Sequence, residues 1–146
     1  MKKKSTQFRW LVTMLLLVTA MVMPKMAWAE IKPAPPSSGD GSSANPYQIG
    51  TPEELYWFAA LVNGKLTDGT SQNTGACAVL VKDITVNTDL LNSLDNNGDP
   101  TGTVTIESWT PLGYYIDYSD NVYYSGTFDG QGHSIRGLYC KQPEKN

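Results

Sequence analysis

The stretch TPEELYWFAALVNG, residues 51 to 64, narrows the fold more than any other, because its spacing admits only a helix. Thr51 is a capping residue, Pro52 suits the first helical position, and Glu54 completes a capping box with Thr51. Leu55, Phe58, Ala59 and Val62 fall at i, i+3, i+4 and i+7, which lines one helix face with apolar groups. Gly64 then stops the helix.

Everything else is cut into shorter pieces. All 13 glycines follow residue 29, together with many Thr, Asn, Asp and Tyr, a composition that favours turns and short strands. Tyr47 to Ile49 is a short extended piece. ACAVLVKDITVN, residues 76 to 87, predicts a strand or two joined by a bend near Asp83, with Val79, Val81, Ile84 and Val86 pointing one way. Leu90 to Leu94 can hold one helical turn, TVTIESW is extended, and TPLGYYIDYSDNVYYSG is a loop with extended arms. Further extended segments lie around Phe128, from His133 to Ile135, and from Leu138.

The first 29 residues read as a secretory signal peptide: lysines precede an apolar run from Trp10 to Met23, and Ala27-Trp28-Ala29 offers the small residues of a cleavage site. The apolar run is short for a bilayer span, which needs about 20 residues, so no membrane span is expected after signal removal. Cleavage after Ala29 takes five of the 11 basic residues and none of the 14 acids, leaving a net charge of −8. Six scattered cations do not make a nucleic-acid footprint, which needs clustered Lys and Arg. The chain therefore divides into a signal peptide (1–29), a flexible Pro/Ser/Gly-rich linker (30–45), one folded unit (46–140) and a polar tail (141–146).

YSGTFDGQGHSIRGLYC, residues 124 to 140, gathers four glycines, Asp129 and the only histidine, yet it matches neither cofactor loop. Ile135 stands where a dinucleotide loop needs its third glycine, and no G-K-[ST] follows. A tight turn between strands is the expectation, with Asp129 and the glycines supplying positive φ. With one histidine there is no His-based metal set, and any triad would have to recruit His133 from that turn. Asp117, Asp120 and Asp129 are the acids from which a carboxylate pair could be drawn. Asp95, Asn97 and Asp99 have the odd-position spacing of a calcium loop, but Pro100 replaces its required glycine and Glu107 comes one place late, so a solvated turn is expected. Thus neither a catalytic residue, a cofactor nor a metal is assigned.

The candidate contact residues are aromatic: Trp109 with Tyr114, Tyr115, Tyr118, Tyr123 and Tyr124. Tyrosine faces can stack on sugar rings or form a protein interface, since they present large amphipathic area with few rotors to freeze. The alternative is that some pack onto the sheet. Cys77 and Cys140, the only cysteines of a chain expected to be exported, either form a disulfide or remain free thiols.

Four separated motifs, DGSSANPYQIGTPEELYWFAALVNG, VLVKDITVN, WTPLG and YSGTFDGQGHSIRGLYC, occur in an order that resembles GLUG-motif surface proteins of bacteria, including the N-terminal regions of IgA-cleaving metallopeptidases. The resemblance spans residues 40 to 140. It implies a mainly β fold, a right-handed parallel β-helix-like solenoid, with the helix at 52–63 as its N-terminal cap and Phe128, Ile135 and Leu138 pointing inward. There is no second copy of the unit, and no H-E-x-x-H motif, so the peptidase activity of the larger relatives is not carried over. The expected function is that of an exported, non-enzymatic surface or adhesin-like protein, the first part of a repeat scaffold. Its partners would be a glycan, a host or surface protein, or a second copy through an open solenoid end. A carbohydrate-binding module using Trp109 and the tyrosines is the first alternative, and a polysaccharide-acting enzyme the second.

Overall fold

The computed structural model describes residues 30–102, 105–115 and 121–141. Its helix, α1 (Pro52–Asn63), begins as its sequence requires: the Thr51 hydroxyl accepts the Glu54 N–H at 3.2 Å, and the Glu54 carboxylate accepts the N–H groups of Gly50 at 2.8 Å and Thr51 at 3.2 Å. It ends at Gly64, whose φ of 65° is left-handed and whose N–H turns back to the carbonyls of Ala60 and Leu61. More of the helix is buried than the single apolar stripe required. Trp57, Leu61 and Asn63 are buried along with Leu55, Phe58 and Val62, because Trp109 and Leu112 cover it as well as the strands do.

The strands are two or three residues each: β1 (Tyr47–Ile49), β2 (Ala78–Leu80), β3 (Ile84–Thr85), β4 (Tyr114–Tyr115), β5 (Asn121–Val122), β6 (Phe128–Asp129) and β7 (Ile135–Arg136). They make three separate sheets. The first has the order β1-β2-β6, all parallel, with Tyr47, Ala78 and Phe128 in one row and Gln48, Val79 and Asp129 in the next. The second is the parallel pair β3-β7, and the third the antiparallel pair β4-β5. Side chains alternate across a strand, so the row holding Tyr47 and Phe128 meets the helix. There the Phe58 ring lies 6.3 Å from Tyr47, 6.2 Å from Tyr124 and 5.7 Å from Phe128 between centroids. Phe58, Ile49, Leu55, Ile84 and Val62 are the largest fully buried side chains and form the core.

The Ser- and Gly-rich residues before β1 are hydrogen-bonded to the sheet. Gln48 donates to the Ser38 carbonyl at 3.0 Å, and Cys77 donates to the Gly41 carbonyl at 2.7 Å. Gly39, at φ 90°, is needed there: a Cβ would lie 2.1 Å from the Pro46 carbonyl oxygen.

The expected β-helix is not what forms. A solenoid needs a repeated coil whose strands stack into continuous sheets. Among the described residues there are instead one helix and a few short strands in separate small sheets, with no solenoid evident. Between β3 and β6 the chain makes a short 3₁₀ turn (Leu90–Ser93) and the antiparallel β4-β5 pair, neither of which repeats a coil. The role of α1 as a solenoid cap and the open solenoid end expected to self-associate fall with that fold.

Two facing assignments also change. Ala78 and Leu80 are buried while Val79 is half-buried and Val81 is 46% exposed, because Val79 shares the outer row with Gln48 and Asp129. The bend at 81–83 then resets the alternation so that Ile84 is buried. Leu138 is 36% exposed and does not join Phe128 and Ile135 against the core.

Candidate functional site

The glycine-rich segment is a turn. Gln131 (φ 50°) and Gly132 (φ 80°) take successive left-handed conformations, and the His133 N–H closes the turn on the Gly130 carbonyl at 2.7 Å. The strands it joins, β6 and β7, belong to different sheets, so it is a corner and not a hairpin. His133 Nδ1 lies 3.5 Å from Asp83 Oδ1, and the Ser134 N–H donates to the same oxygen at 2.9 Å. The Ser134 amide, ahead of the imidazole, holds the Asp83 carboxyl below the usual carboxylate range. The carboxylate thus stands between histidine and serine, whereas a nucleophilic triad puts the imidazole between the other two.

Asp129 serves the same corner, accepting the Gln131 N–H at 2.9 Å and its side-chain amide. Asp117 and Asp120 lie outside the described residues. The calcium-like stretch is an Asx turn: Asp95 Oδ1 accepts the N–H groups of both Asn97 and Asp99 at 2.8 Å, and Asp99 pairs with Lys141. Among the described residues no group of three or more His, Cys, Asp or Glu could hold a metal ion.

The tyrosines separate into two sets. Tyr124 is a core residue: its hydroxyl donates to the Ala76 carbonyl at 3.0 Å, and burial, with a lesser effect of Cys77, pushes its pKa up to about 12. Tyr115 and Tyr123, at 60% and 69% exposure, face outward. Tyr114 pairs with Val122 and Tyr115 with Asn121, so Tyr115 and Asn121 share the outer face, and Tyr123 directly follows β5. Tyr114 and Val122 share the other face, where Val122 packs on the core and the Lys65 ammonium lies 5.6 Å from the Tyr114 ring centroid. Tyr118 lies outside the described residues.

Trp109 is set apart from Tyr115 and Tyr123. Its backbone N–H donates to the Tyr139 carbonyl at 2.7 Å, and its ring is half-buried, edge-on to Tyr56 at 5.5 Å. A cleft of about 140 Å³ opens here between Ser108-Trp109-Thr110 and the helix face formed by Tyr56, Ala59, Ala60 and Asn63, with Pro33 and Lys65 at its margins. Asn63 locks the two walls together. Its side-chain amide donates to the Pro111 carbonyl at 2.9 Å, and its oxygen accepts the Gly113 N–H at 2.9 Å. The Tyr56 hydroxyl is buried without a hydrogen-bond partner among the described residues; burial and the nearby Glu107 carboxylate push its pKa up to about 12.

Reading the sequence singled out Trp109 but missed Tyr56, Asn63 and Lys65. A signal existed: Tyr56, Ala59, Ala60 and Asn63 stand at i, i+3, i+4 and i+7, a second stripe offset by one from the apolar one.

A second groove, of about 280 Å³, lies on the outer row of the first sheet and is lined by Val79, Thr127 and Asp129 beside Cys77. Both cysteines are free thiols, Cys77 buried with Sγ 3.8 Å from the Gly75 carbonyl and Cys140 exposed.

Comparisons of the chain with protein-family models, with curated proteins and with solved structures find no match. The resemblance to GLUG-motif proteins rests on the four sequence motifs alone.

Proposed function

We propose that the protein is an exported, non-catalytic surface protein with a contact role, and that its contact surface is the outer face of the β4-β5 hairpin. The observation that carries this reading is the exposure of Tyr115 and Tyr123, each more than half open to solvent, on and beside the β4-β5 pair. Exposed tyrosines bring a rigid apolar ring and a hydroxyl to a partner at low entropic cost, which is why they are enriched in recognition surfaces. The N-terminal signal-like segment supports export. The corner at His133 supports the non-catalytic half, because its polar groups are spent on tying together the two bends that lead into β3 and β7.

The test compares the wild-type protein with Tyr115→Ser/Tyr123→Ser on a glycan array and on immobilised surface proteins. Both positions are more than half exposed, and the double variant, confirmed folded by circular dichroism, should lose at least tenfold in binding. Binding unchanged in the double variant refutes the assignment of the surface, and turnover of a polysaccharide by the wild type refutes the non-catalytic reading.

A further inference from the structure

The cleft beside Trp109 has features that the contact reading does not use. Its volume of about 140 Å³ is below the roughly 300–1,000 Å³ of sites that enclose drug-sized ligands, and suits one small ring. Two of its surfaces are apolar, the indole of Trp109 on one wall and Ala59 and Ala60 on the other. Ser108 and Thr110 border the indole with hydroxyl groups. A sugar ring presents C–H groups on its faces and hydroxyls at its edge, and so matches an indole wall with a hydroxyl margin.

Charge narrows the class. Lys65 is exposed at the mouth, with its ammonium over the Tyr114 ring and, among the described residues, no carboxylate within salt-bridge distance. This cation belongs to a chain with 14 acids and 11 bases, yet it is paired with a ring face and keeps its three N–H donors for an anion. An oxygen-rich anion satisfies them.

We infer that the cleft between Trp109 and α1 binds a single carboxylate-bearing sugar residue, with Trp109 against the ring and Lys65 on the carboxylate. The inference rests on the reading of the protein as a non-catalytic binder, and names a ligand class for a second surface of it. The test titrates the full-length protein with methyl glucuronoside and, as the neutral counterpart, methyl glucoside, following tryptophan emission and amide chemical shifts. Glucuronoside should bind saturably and at least tenfold more tightly than glucoside, with shifts centred on Trp109 and Lys65. Lys65→Met should remove that preference. Equal affinity for the two sugars, a preference retained in Lys65→Met, or no binding of glucuronoside overturns the inference and leaves the hairpin surface untouched. Cleavage of the glycoside instead overturns the non-catalytic reading.

Discussion

Asn63 is the most informative residue to change, because it is a buried polar group that ties α1 to the loop carrying Trp109. It is 3% exposed, and its two side-chain hydrogen bonds, both 2.9 Å, hold the Pro111 carbonyl and the Gly113 N–H. Asn63→Ala deletes both. A hydrogen bond contributes about 0.5–1.5 kcal/mol net, and an orphaned buried partner costs about 1–3 kcal/mol, so the loss should be about 2–4 kcal/mol. That is a large share of a typical total of about 5–15 kcal/mol. At about 4–8 °C per kcal/mol for a small domain, the melting temperature should drop by roughly 8–32 °C. Asn63→Asp separates the two bonds. It keeps an acceptor for Gly113 but sets a carboxylate against the Pro111 carbonyl, so burial and repulsion raise its folded-state pKa above the unfolded ~3.9. The variant's stability should then be best below that unfolded value and fall as pH rises through the raised one. Urea melts at acidic and neutral pH, read by tryptophan emission, measure both effects. Asn63→Ala within about 0.5 kcal/mol of wild type, or Asn63→Asp equally stable at the two pH values, would refute the clasp.

The two tyrosines whose pKa values rise to about 12 from the ordinary 10, Tyr56 and Tyr124, should make alkaline unfolding steep. A raised folded-state value stabilises fully below pH 10 and is lost between about 10 and 12, so stability should fall across that window. Tyr124→Phe should flatten the fall, as followed by tyrosinate absorbance with circular dichroism; an unchanged profile counts against the burial of that hydroxyl. A thiol reagent should label Cys140 rapidly in the native protein and Cys77 only on unfolding, as counted by intact mass. Failure to label either cysteine in the unfolded, unreduced protein would show that the two are bridged.

Local signals were legible and long-range ones were not. The helix could be placed from Thr51 to Gly64 because a capping box and a left-handed glycine act within one turn of the chain. The corner at residues 130–133 was legible as a turn for the same reason. Nothing local states that β6 and β7, five residues apart, join different sheets, or that β1 pairs with β2 across the whole helix. Facing was misjudged at Val79 and Val81 because β-branched residues stand on both sides of the strand, and only pairing with Gln48 and Asp129 decides which row is outside. The solenoid expectation came from motif order, which carries no information about whether short strands line up into continuous sheets. Among the site residues, Trp109 and the tyrosines were visible as aromatics. Tyr124 could not be told from Tyr123 until the core carbonyl of Ala76 was seen to accept its hydroxyl. Asn63 and Lys65 carry no motif and act only because the Trp109–Gly113 segment and Tyr114 are folded against the helix end.

The central claim, that this is a non-catalytic contact protein acting through the outer face of its tyrosine hairpin, is tested most directly by surface plasmon resonance. Ligands first captured from the glycan and surface-protein arrays by the wild type would be measured against Tyr115→Ser/Tyr123→Ser. The account predicts at least a tenfold loss of affinity in a double variant that circular dichroism shows to be folded, and ligand recovered intact after binding. Full affinity in the double variant, or ligand returned cleaved, would contradict it.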